Sequence, residues 1–116
     1  MNAYRELLCR VTDVRGIRAA MLVSEEDGLV VAESLSEGVD GAAVAALAAS
    51  LTLRIRRSAA SAGHSAPAVV QMRAERGALL TLQAGDGLLV VAIADREANL
   101  GLARLELREA ASRLHA

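Results

Sequence analysis

The chain has 116 residues, 53% of them apolar, with a formal net charge of −1 and one cysteine. That length fits one compact domain, expected to span residues 1–116. A nearly balanced charge and a single aromatic residue, Tyr4, exclude strong binding to phosphate backbones and stacking on bases, so no nucleic-acid partner is expected.

Residues 3–13 read as a short helix, because Leu7, Leu8, Val11 and Val14 recur at helical spacing. Cys9 on that helix reads as a buried apolar filler. With no second cysteine in the chain, a reducing, cytoplasmic setting is the simplest expectation. No basic region followed by an apolar stretch opens the chain, so no signal peptide is expected. Gly16 punctuates, and Ile17 to Ser24 follows as a strand. Asp27-Gly28 is the strongest hairpin signal in the chain, and Leu29 to Glu33 returns as a second strand.

Ser34 to Gly41 is a polar link ending at Asp40, whose carboxylate suits an N-cap. A long helix runs from Gly41 to about Ala62, stopped by Gly63 and Pro67. Ala68 to Ala74 alternates, with Val69, Gln71 and Arg73 on one face and Val70 and Met72 on the other, which suits an edge strand. Ala78 to Ala84 is the next strand, and Gly85-Asp86-Gly87 a tight turn. Leu88 to Ala94 is apolar throughout, as a central strand covered on both faces should be. Asp95 is placed to cap the last helix, with Glu97 in its first turn and a stripe of Leu100, Ala103, Leu107, Ala110, Ala111 and Leu114. The order α-β-β-α-β-β-β-α argues for an α/β fold in which helices cover both faces of one five-stranded antiparallel sheet. Charged or polar residues interrupt every apolar run well short of the ~20 needed to cross a bilayer, so no membrane insertion is expected.

The long helix carries the most information. At 100° per residue, Val44, Leu47, Ala48, Leu51 and Ile55 form one stripe, expected to lie on the sheet. Ala42, Ala46, Ala49 and Leu53 form a second, nearly opposite, with Arg56 and Arg57 flanking it and Arg54 between the two. One reading is a second packing surface, where small side chains let another helix approach closely. The other is a solvent face rich in a strong helix former; Leu53 argues against it. The packing helix could be the C-terminal one of this chain or the same helix of a second copy.

Catalytic chemistry is sparse. His64 follows Gly63 in a loop, His115 is the second-last residue, and no spacing of His, Cys, Asp and Glu matches a metal site. Gly85 and Gly87 do not precede a helix, so no phosphate-cradling loop is indicated. Glu25, Glu26 and Asp27 read as a solvated turn. Arg54, Arg56 and Arg57 read either as a solvated helix end or as a contact for an acidic partner surface. No nucleophile, base or metal comes together in the pattern, so neither enzyme activity nor a cofactor is expected.

The segment from Val14 to Leu114 resembles the Roadblock/dynein light-chain family, including its bacterial MglB type. The matching features are Val14-Arg15-Gly16-Ile17 leading into Ala20-Met21-Leu22-Val23-Ser24, the turn Asp27-Gly28-Leu29-Val30-Val31-Ala32, and the alanine-rich helix opening at Asp40. Gly87-Leu88-Leu89-Val90-Val91-Ala92 and Ala98-Asn99-Leu100-Gly101-Leu102-Ala103-Arg104 complete them. The resemblance implies a profilin-like sandwich with strand order 2-1-5-4-3. It also implies a homodimer whose third strands pair and whose long helices pack. A dimer interface of Ala42, Ala46, Ala49, Leu53, Val69, Gln71 and Arg73 is therefore expected. Prokaryotic relatives imply a Ras-like small GTPase as partner, met here by Ser50, Arg54, Arg56 and Arg57, with its cycle modulated and no catalytic residue supplied. Other relatives imply the alternative of a scaffold that leaves GTPase rates unchanged. Several GTPase-activating relatives carry a C-terminal extension beyond the position where this sequence reaches His115-Ala116.

Overall fold

A computed structural model describes residues 3–85 and 87–114. Asp86 and His115, placed above in a turn and at the C-terminus, lie outside them. The elements run α1 (Ala3–Thr12), β1 (Ile17–Ser24), β2 (Val30–Leu35), α2 (Gly41–Ser61), β3 (Val69–Ala74), β4 (Gly77–Gly85), β5 (Leu88–Asp95) and α3 (Leu100–Arg113). The five strands form one antiparallel sheet in the order β2-β1-β5-β4-β3. That is the architecture and strand order expected.

Two apolar layers hold the sheet. On one face α1 and α3 bring Leu8, Val11 and Leu107 onto Leu22, Leu80 and Val90. On the other, α2 lays Ala45, Ala48 and Ala49 on Met21, Val23, Leu79, Leu89 and Val91. Leu89, Val90, Val91 and Ala92 are all fully buried, because β5 lies between β1 and β4 with helices above and below. Each such leucine or valine contributes roughly 1.5–3 kcal/mol of burial. The missing aromatics are thus replaced by aliphatic chains under α1 and α3, and by close approach of alanines under α2.

Three local readings are corrected. The last helix is capped by Asn99, whose side chain accepts from Leu102 N at 3.0 Å; Asp95 instead closes its own turn, accepting from Glu97 N at 3.0 Å. Asp95 ends β5, so the chain needs four more residues to turn before the helix begins. The second strand starts at Val30 rather than Leu29, because Asp27 accepts from Leu29 N and Gly28 donates to Ser24 O, extending the turn. Gly28 sits at φ 72°, as a glycine in such a turn can. Cys9 is exposed, on the face of α1 away from Leu8 and Val11.

Candidate functional site

The helix α2 begins where Asp40 accepts from Ala43 N at 3.1 Å, as a side-chain cap should. Its inward face keeps Val44, Ala48 and Leu51 of the stripe read from the sequence against the sheet and departs from it at Leu47. Gly41, Ala45, Ala48, Ala49 and Thr52 are buried, while Val44, Leu51 and Ile55 lie half-buried along one rim. Leu47, expected on the sheet, is 46% exposed. Ala49, expected on the outer face, is buried; a Cβ on Gly28 would stand 3.5 Å from its methyl and from Ala46 Cα. The β1–β2 turn therefore rests on α2. The physical reason is contact distance: the axis sits low on the sheet through its smallest residues, so the larger aliphatic ones are pushed aside.

What remains outside is a coherent surface. Ala42, Ala46 and Leu53 are exposed, Leu53 at 45%. Ser50, Arg54 and Arg57 are exposed too and run along the middle of the outward face. Arg56 does not join them. It turns towards the sheet, where Nη2 donates to Glu25 Oε1 at 2.9 Å and Nη1 donates to Oε2.

The strand β3 ends the sheet, so among the described residues its outer backbone edge has no strand beside it. It pairs with β4 through Met72↔Leu79 and Gln71↔Leu80. This register puts Val70 and Met72 on the α2 face, with Leu79, and Val69, Gln71 and Arg73 on the α3 face, with Leu80 and Leu82. Gln71 accepts from Arg104 Nη1 of α3 at 3.3 Å. The seven residues expected at one interface are therefore divided. Ala42, Ala46 and Leu53 share a helix face, Ala49 is under it, and Val69, Gln71 and Arg73 lie across the sheet. Met72 and Leu47, outside that expected interface, line one open trough of 410 Å³ with Val39, Leu79 and Ile93, between Arg18 and Arg76. Exposure of two large aliphatic side chains on facing elements would have been the signal, but only the strand register shows that they face each other.

Among the described residues, no cluster of His, Cys, Asp and Glu is placed to hold a metal, and no helix is long and apolar enough to cross a membrane. The chemistry that this surface offers is association.

Comparison with known proteins gives a consistent result. The Roadblock/LC7 domain matches residues 4–94. An uncharacterised protein of Methanocaldococcus jannaschii is 34% identical over 110 residues, covering 95% of each chain. Among solved structures, an MglB with a tetrameric arrangement superposes with TM-score 0.85 at 25% identity, covering 98% of this chain and 89% of that one. MglB of Myxococcus xanthus superposes with TM-score 0.87 at 20% identity, covering 98% and 93%, a likeness of fold.

Proposed function

The chain belongs to the Roadblock/LC7 domain family, and from that premise we propose that it is a dimeric, non-enzymatic regulator of a Ras-like small GTPase, acting as a single domain. The observation that carries this reading is the open β3 edge beside an uncovered apolar α2 face. Pairing of two β3 edges would satisfy the free backbone groups and continue the sheet. The same pairing would bring Met72, Leu47 and Leu53 of each copy against the other, removing large aliphatic surface from water. Ser50, Arg54 and Arg57 run between Leu47 and Leu53 on α2, so in such a dimer they border the helix contact, and the long arginine side chains can reach from it to an acidic surface of the GTPase.

The regulator supplies no catalytic arginine in this reading. Arg56 is held by Glu25, and Arg54 and Arg57 act as contacts. The GTPase would instead be biased towards its hydrolysing geometry by binding. Hydrolysis of GTP by the Ras-like GTPase of the same organism, measured with and without this protein, tests it. Faster hydrolysis, reduced by the Arg54→Ala/Arg57→Ala double variant, is expected. Binding with no change in hydrolysis or nucleotide release would favour a scaffold, and no binding would overturn the proposal.

A further inference from the structure

Across the sheet from α2, helix α3 and strand β3 bound an open groove of 750 Å³. Its walls carry Leu102 and Leu105, which are 43% and 62% exposed, with Val69 at its floor. Arg104 and Arg108 line the same groove, and among the described residues no carboxylate does. Arg104 donates to a neutral amide, Gln71. Among the described residues the ion pairs are Arg56–Glu25 and Arg113–Glu109, so neither groove arginine is neutralised. The helical repeat puts Glu106 and Glu109 across α3 from Arg104, on the side of Leu102, so the unpaired positive charge gathers on the β3 side of the groove. In a chain of net charge −1, the groove is a local concentration of positive charge around aliphatic anchors.

We propose that this groove binds an acidic segment of a partner protein that also carries leucine-like side chains. Carboxylates on such a segment match the forked guanidinium donors of Arg104 and Arg108, and its aliphatic side chains cover Leu102 and Leu105. A membrane surface fits less well, since polybasic lipid-binding segments gather roughly four to eight cations. The groove and the α2 surface lie on opposite faces of the sheet. Pairing of two β3 edges sets the grooves of the two copies side by side on the face that α2 leaves free, where a bound segment would tether the regulator to a second protein while it acts on its GTPase.

The test is selection from a displayed library of random peptides against the full chain. Peptides enriched in Asp and Glu alternating with Leu are expected. The Arg104→Glu/Arg108→Glu double variant should weaken them by about tenfold or more, because like charges then face each other. A Leu105→Ala variant should weaken them at unchanged charge, and Leu53→Glu on the other face should not. Retained helical circular dichroism shows that each variant is folded. Failure to enrich any peptide, enrichment of neutral or basic ones, or binders insensitive to both groove variants would overturn the proposal. Binding to vesicles of phosphatidylserine and phosphatidylcholine that depends on Arg104 and Arg108, without peptide binding, would overturn it in favour of a lipid surface. Loss of GTPase regulation by Leu53→Glu with peptide binding intact separates failure here from failure of the α2 reading.

Discussion

Arg56 of α2 grips Glu25 of the β1–β2 turn at two points, Nη2 to Oε1 at 2.9 Å and Nη1 to Oε2. Gln83 of β4 adds a third donor, Nε2 to Glu25 Oε1 at 3.3 Å. One carboxylate thus ties the turn, the long helix and the sheet together. The hydrogen bond to Glu25 raises the Arg56 guanidinium above its ordinary value, against a smaller opposing effect of burial and with added Coulomb attraction from the same carboxylate. A group raised on folding keeps its full stabilisation below its unfolded value and loses it only above the folded one. Arg56 therefore stays charged at every pH the fold encounters, and the arginine side of the pair gives no pH dependence.

Salt and mutation are the levers on this pair. Its side chains remain 35% and 16% exposed, so solvent screening limits the interaction to about 1 kcal/mol despite the forked geometry. A double-mutant cycle of Glu25→Gln and Arg56→Met, read by urea unfolding, should give a coupling of about that size that shrinks in high salt. Additive effects of the two changes would show the pair to be without consequence for stability.

The capping of α3 can be read in the same assay. Asn99→Ala should cost about 1 kcal/mol, since it strips the acceptor from Leu102 N. Asp95→Ala should cost less, because it loses a turn bond to Glu97 N and no helix cap. The reverse ranking would restore Asp95 as the cap.

Gly77 opens β4 where β5 passes very close. A Cβ there would stand 2.2 Å from the backbone oxygen of Ala94, an approach that no side-chain rotation relieves. Gly77→Ala should destabilise by about 3 kcal/mol, as overpacking against backbone does. Adding a methyl at Gly38, which has nothing within 4 Å but a φ of +89°, should cost about 1–2 kcal/mol from the left-handed conformation alone. Equal effects at the two positions would contradict the close approach.

The sequence reading reached the fold through features that act locally. Val69 to Ala74 alternates and Leu88 to Ala94 does not, and that contrast already separates an edge strand from a buried one. The site was legible only in part. Helical periodicity finds two apolar arcs on α2 and sets Val44, Ala48 and Leu51 against the sheet as the structure does, but it misplaces one member of each arc, Leu47 and Ala49. Tertiary contact distance decided it, placing Ala45, Ala49 and Thr52 inside and Leu47 outside. Likewise the alternation of β3 splits its residues into two sets without saying which set α2 shares. The pairing Met72↔Leu79 fixes that, and no local signal in the sequence carries it. The partner of Arg56 lies 31 residues away in the chain, so a basic cluster of three looked uniform where the structure holds one member apart.

The central claim is that a second copy of the chain completes the α2 face. Sedimentation equilibrium of the wild type beside Leu53→Glu and Leu47→Glu tests it most directly. Both leucines are nearly half exposed in the single chain, so a carboxylate at either position leaves the monomer fold intact, and circular dichroism checks this. The account predicts a wild-type dimer at micromolar concentration and folded monomers for both variants, since an unpaired charge would be trapped between two helices. A wild type that sediments as a monomer, or variants that remain dimeric, would contradict it.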